Sequence, residues 1–202
     1  MRRLRFCRSA ACRRASRRAF AESFGSSAIE AKLAFGCSET KGQALTDFND
    51  LLRRFGAAVA ANDGAALAAL FTSDGVCDDG FFGEYRGRKA IADMLAHFHD
   101  TGANFRWDFF DPLSDGRLGY ARYRFSYASR MPGAEGRPVV FEGIGFFQFR
   151  DGLIARYAEA FDRGMALAQQ DFAPERIKKV LLKLADRQNA SPAAQEHRKR
   201  LA

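Results

Sequence analysis

The stretch that most constrains this chain runs from Val139 to Asp162, VVFEGIGFFQFRDGLIARYAEAFD. It reads as two strands joined by the turn Asp151-Gly152, because an Asp-Gly pair tolerates the positive φ that a two-residue hairpin loop demands. Such a loop pairs Arg150 with Leu153. Counting outward places Phe141 opposite Asp162, Gly143 opposite Ala160, Gly145 opposite Ala158 and Phe147 opposite Arg156, all on one face. The centre of that face holds two glycines against two alanines, so it carries almost no side-chain volume. Sheets fill such gaps, since voids forfeit dispersion contacts. Either a bulky side chain from a covering helix occupies the space, or the gap floors a ligand cavity with Asp162 as its polar contact. The opposite face carries Glu142, Ile144, Phe146, Gln148, Tyr157, Glu159 and Phe161, and its mixed character suits a second contact surface such as a subunit interface.

Upstream, the pattern is helical. Phe48, Leu51, Leu52, Phe55 and Val59 form one apolar stripe, with Thr46 as the expected N-cap. Asn62-Asp63-Gly64 stops this helix, and Leu67, Leu70 and Phe71 mark a short second one. A turn at residues 72–75 precedes a brief strand, Val76 to Asp79, and the segment GFFGEYRG reads as a loop. Ile91, Met94, Leu95 and Phe98 define a third helix. Alternation then takes over, at Phe105, Trp107 and Phe109 and again at Ala121, Tyr123, Phe125 and Tyr127. Helices followed by a meander of long strands imply an α+β domain over residues 43–172. Residues 173–188 make an amphipathic helix with the stripe Ile177, Val180, Leu181 and Leu184, which must bury against the body or a partner subunit. A disordered tail is expected over residues 189–202.

Charge separates a leader from the body. The formal charge is +8, but residues 1–42 hold ten Lys/Arg against three acids, and the rest of the chain 22 against 21. The basic excess therefore belongs to an Arg-rich leader, expected to be disordered, and a nucleic-acid surface on the domain is not expected. Three of the four cysteines also lie in the leader, in no disulfide or zinc spacing, while Cys77 stands alone. Free thiols point to a reducing, cytoplasmic setting. No run approaches the ~18 apolar residues of a membrane span. No phosphate loop, nucleophile elbow or metal motif is present, so neither cofactor nor metal is expected. His97 and His99 are two residues apart on a helix and cannot jointly face one ion.

Three stretches carry a family resemblance: FNDLLRRFGAAVAANDGAALAALFTSDGVCDD, GRKAIADMLAHF and RDGLIARYAEAFDRGMALAQQDF. Over residues 46–172 the chain resembles the nuclear transport factor 2-like superfamily, and within it the SnoaL-like group. The resemblance implies a cone-shaped α+β barrel, with three N-terminal helices packed on a curved antiparallel sheet around a cavity. The superfamily includes isomerases, dehydratases, epoxide hydrolases, polyketide cyclases and non-enzymatic binders, so it implies no single activity.

Asp79 falls where the ketosteroid isomerases of this superfamily carry a general base. Phe55 and Gly145 stand where those enzymes place their two oxyanion donors, so ketosteroid isomerisation is not expected. Asp162 falls where SnoaL-type cyclases place their aspartate, with Gln148 in place of the partner histidine. Two carboxylates, Asp79 and Asp162, thus remain as candidate acid and base. The expected binding residues are Phe55, Trp107, Tyr123, Phe141, Gly143, Gly145, Phe147, Ala158 and Ala160, around a small hydrophobic molecule. Arg156 would bind an anionic ligand or neutralise a carboxylate. The alternative is a non-catalytic homodimeric association or carrier module.

Overall fold

The computed structural model describes residues 39–201. The leader expected over residues 1–42 lies almost wholly outside them. The described chain opens in helix α1 (Glu39–Ala60), already running well before Thr46, which therefore does not cap it. Its apolar stripe is buried as the spacing requires: Phe48, Leu52, Phe55 and Val59 all lie in the core. Gly56 lets α1 approach the sheet, since a Cβ there would sit 2.9 Å from the carbonyl oxygen of Trp107. Helix α2 (Gly64–Ala69) follows, capped by Asp63, whose carboxylate accepts from the Ala66 N–H at 2.8 Å.

Six strands then build one mixed sheet: β1 (Phe71–Asp79), β2 (Gly83–Arg86), β3 (Gly102–Ser114), β4 (Leu118–Ser129), β5 (Pro138–Arg150) and β6 (Leu153–Phe161). Their order is β2-β1-β6-β5-β4-β3, and all neighbours are antiparallel except β1 and β6. Helix α3 (Arg88–Thr101) links β2 to β3 and buries Ile91, Met94 and Leu95. Two expectations change here. The turn at residues 72–75 is absorbed into β1 as an irregularity in its pairing with β6, and the GFFGEYRG loop contains β2, a short strand on the edge of β1.

The hairpin turn forms as expected, with φ of 54° at Asp151 and 74° at Gly152, and Arg150 faces Leu153. One step further the register departs. Phe149 pairs with Ile154 but Gln148 pairs with Arg156, so Ala155 is an extra residue in β6. From there on Phe147 faces Tyr157, Gly145 faces Glu159 and Gly143 faces Phe161. Because side chains alternate, this one-residue offset turns the whole of β6 over. Tyr157, Glu159 and Phe161 point to the helix-covered face, while Ala158 and Ala160 point away from it.

Beyond the sheet come α4 (Arg163–Gln169), α5 (Pro174–Asn189) and α6 (Pro192–Arg198). The expected tail at 189–202 is thus helical over most of its described length, begun by Ser191, whose hydroxyl accepts from the Ala194 N–H. Helix α5 forms where its stripe predicts, but none of its residues is fully buried. Among the described residues no helix is long and apolar enough to cross a membrane.

Candidate functional site

A pocket of 220 Å³ lies between the inner sheet face and the helices. Its sheet wall is aromatic, formed by Phe105, Trp107, Phe125, Tyr127, Phe141 and Phe161. Phe81 and Phe82 close one side and Phe98 of α3 another, while Leu167, Gln170 and Phe172 reach in from α4 and the segment after it. Two carboxylates enter this apolar space, Asp79 from the end of β1 and Glu159 from β6.

Glu159 is held at three points. Its Oε2 accepts from the hydroxyls of Tyr123 at 2.8 Å and Tyr157 at 3.0 Å, and its Oε1 accepts from the Gly80 N–H at 3.1 Å. The two tyrosines are 0% and 1% exposed. Two glycines of β5 make room for their rings: a Cβ on Gly143, opposite Tyr123, would sit 2.5 Å from the Tyr123 hydroxyl oxygen, and one on Gly145 3.2 Å from the Tyr157 ring. The emptied centre of the sheet face is therefore occupied, by rings from the sheet itself and not by a helix side chain. The pocket begins beside it.

Burial outweighs these hydrogen bonds. Desolvation first, then the nearby charge of Asp79, push the Glu159 carboxyl up to about 7, against the lowering effect of the Tyr123, Gly80 and Tyr157 donors. Asp79 is also raised, chiefly by burial, although its Oδ1 accepts from the N–H groups of Phe81 and Phe82 at 2.8 Å each. Neither carboxylate forms an ion pair with a described residue. Desolvation also pushes the Tyr127 hydroxyl up to about 12.

The sequence-predicted residues divide. Asp79, Trp107 and Phe141 line the pocket. Tyr123 stands behind it and anchors Glu159, with Gly143 and Gly145 beneath the tyrosine rings. Phe55 and Phe147 are core, each ring packed against Tyr157 at centroid distances of 5.2 and 5.0 Å. Ala158 and Ala160 lie on the other face of β6, a correction that follows from the bulge at Ala155. Asp162 is also displaced: it is exposed and caps α4, accepting from the Met165 N–H at 2.9 Å. Arg156, turned outward by the same bulge, pairs with Asp78 and Glu84 at 2.8 Å each, so it neutralises carboxylates.

Glu159 is the residue that pattern reading missed. A signal for it exists in Ile154 and Tyr157, two large apolar residues an odd number of positions apart. Strict alternation cannot bury both, and an inserted residue between them can. Among the described residues no group of three or more His, Cys, Asp and Glu side chains is placed to hold a metal ion.

Helices packed on one face of a six-stranded mixed sheet, over an aromatic pocket edged by acids, define the nuclear transport factor 2-like α+β class. Residues 52–157, just over half of the chain, match the family model of the SnoaL-like domain, and the chain belongs to that family. Solved structures agree on the fold. A hypothetical protein from Catenulispora acidiphila with a ketosteroid isomerase-like fold, in complex with trimethylamine, is 18% identical at a TM-score of 0.55, over 62% of this chain and 98% of that one. A proposed polyketide cyclase from Xanthomonas campestris is 24% identical at 0.54, over 63% and 98%. An LEH-like epoxide hydrolase from M. tuberculosis is 19% identical at 0.51, over 70% and 96%. No curated protein matches the sequence.

Proposed function

We propose that this SnoaL-like domain binds a small hydrophobic molecule in its aromatic pocket and performs proton-transfer chemistry on it with Asp79 and Glu159. The observation that carries this reading is the placing of two carboxylates, free of ion pairs to described residues, in one apolar pocket. Both are raised by burial, and the charge of Asp79 raises Glu159 further. With its carboxyl raised to about 7, Glu159 exchanges a proton near neutral pH, so it serves as acid while Asp79 serves as base. Asp79 suits the base, because both its hydrogen bonds fall on Oδ1 and its Oδ2 accepts from no described residue. Glu159, fixed by two tyrosines and a backbone N–H, suits the acid. The volume of 220 Å³ lies below the roughly 300–1,000 Å³ of typical ligand pockets, which favours a compact substrate. The names of the structural neighbours, a cyclase and an epoxide hydrolase among them, are compatible with acid–base work but select no reaction.

A chemical probe tests this without knowledge of the substrate. 5-Nitrobenzisoxazole is a small flat aromatic whose ring opens when a base removes its C3 proton. The protein is expected to accelerate this opening beyond carboxylate buffer, and Asp79→Asn to lower the rate about 100-fold. Asp162→Asn, at the α4 cap, is expected to leave it unchanged. Equal rates for wild type and Asp79→Asn would remove the catalytic reading.

The second reading is an association module, supported by the uncovered apolar residues of α5. Leu181 and Leu182 are 39% and 54% exposed on a helix with no fully buried residue. If two copies pair through this helix, Leu181→Glu with Leu182→Glu will convert a dimer to a monomer in sedimentation velocity. An unchanged sedimentation coefficient rejects it.

A further inference from the structure

The polar groups of the pocket are unequally distributed by charge. Among the described residues its wall contains two carboxylates and no lysine, arginine or histidine. Arg163, the cation that acts on Asp79, does not line the pocket; its Nε donates to the Gly80 carbonyl at 2.5 Å and its guanidinium lies over the Phe161 ring.

Most hydrogen-bond donors around the space are already engaged within the protein. The Tyr123 and Tyr157 hydroxyls and the Gly80 N–H are given to Glu159, and the Phe81 and Phe82 N–H groups to Asp79. Thr101 donates to the Phe98 carbonyl and Gln170 to the Ala166 carbonyl. What faces a guest is carboxylate oxygen and the π-faces of rings, relieved by the neutral Tyr127 hydroxyl. The indole nitrogen of Trp107 is buried and has no hydrogen-bond partner among the described residues.

Ring faces carry negative quadrupolar potential, and they attract cations most strongly where water is excluded. An anionic guest would meet the negative charge of the carboxylate pair with no cation lining the pocket among the described residues. A neutral apolar guest would leave the carboxylates desolvated and unmatched, which is costly. A positive charge on an apolar body satisfies both features together.

We propose that this pocket, taken as the small-molecule site argued above, selects a compact hydrophobic amine or quaternary ammonium ion over neutral and acidic compounds of the same shape. The cationic head sits against Asp79 and Glu159, and its alkyl groups pack on the rings of Trp107, Phe141 and Phe161. Among proton-transfer substrates, this assigns the class that carries a nitrogen cation near the reacting bond.

The chain contains one tryptophan, Trp107, in the pocket wall, so its fluorescence reports occupancy directly. Three probes of similar shape would be titrated into the full chain: benzyltrimethylammonium, its uncharged carbon isostere neopentylbenzene, and phenylacetate. The cation is expected to bind at least about tenfold tighter than the isostere, and phenylacetate weakest. Glu159→Gln and Asp79→Asn are each expected to reduce that preference while keeping affinity for neopentylbenzene. The second variant guards against misfolding of the first, whose side chain is tied to two tyrosines. Equal or tighter binding of neopentylbenzene or phenylacetate overturns the cation preference and leaves the pocket reading standing. If none of the three perturbs Trp107, both fall.

Discussion

Replacing Glu159 by glutamine is expected to remove a loss of stability that the wild-type protein suffers as pH rises from about 4.5 to about 7. The folded carboxyl holds its proton up to about 7, whereas the unfolded one releases it near the ordinary value of 4.5. Between those limits the folded state binds more protons, so stability is full below the lower value and declines through the upper one. The interval corresponds to ~3 kcal/mol, a large share of a typical ~5–15 kcal/mol of folding stability. Glutamine keeps an acceptor for the Tyr123 and Tyr157 hydroxyls but never ionises, so its cost is insensitive to pH. Urea denaturation at pH 5 and pH 8 should therefore show the wild type losing ~2.5 kcal/mol more than the variant over that range. Exposed acids such as Asp74 and Asp115, whose carboxyls are held below their usual range by hydrogen bonds, contribute equally to both proteins and cancel. Parallel pH curves would mean that Glu159 ionises freely in the fold, and the acid role proposed for it would go too.

The helices of this domain are legible because each stripe has one period and one destination. Phe48 through Val59 on α1 and Ile91 through Leu95 on α3 are buried where spacing alone puts them. The Asp151-Gly152 turn is equally plain, since few residue pairs accept two positive φ values in succession. The site was harder to read because it depends on parity. One unpaired residue, Ala155, decides whether β6 shows alanines or Tyr157, Glu159 and Phe161 to the pocket. A bulge has no composition of its own and appears only as a break in alternation, between Ile154 and Tyr157. The aspartates fared differently for a related reason. Asp79 ends a strand on the inner face, whereas Asp162 stands one residue past the last ladder pair, where the chain turns into α4 and an aspartate caps a helix. Helix α5 shows the opposite limit: its amphipathic stripe is evident in sequence, yet its apolar residues remain without full cover.

The glycines of β5 acquire a different meaning from this geometry, and Gly143→Ala puts it to the test. A methyl group there would fall 2.5 Å from both Cζ and the hydroxyl oxygen of Tyr123, and 2.8 Å from the backbone oxygen of Ala160. The tyrosine cannot yield cheaply. Its ring is buried edge-on against Trp107, 5.3 Å between centroids, and any shift carries its hydroxyl away from Glu159. Overpacking of this kind costs on the order of 3 kcal/mol at its upper range, and the displaced hydrogen bond leaves a buried carboxyl short of a donor. Stability of Gly143→Ala is thus expected to fall by ~3 kcal/mol. Tyr123→Phe supplies the discriminating comparison, because it deletes the hydroxyl and keeps the ring. If Gly143 is small in order to seat that hydroxyl against Glu159, the two substitutions will be coupled, and the alanine will cost at least ~1 kcal/mol less in the phenylalanine background. Strict additivity would show that Gly143 makes room for the ring and not for the hydroxyl. The tyrosine anchor, and with it the fixed position of Glu159 at the pocket wall, would then need another cause.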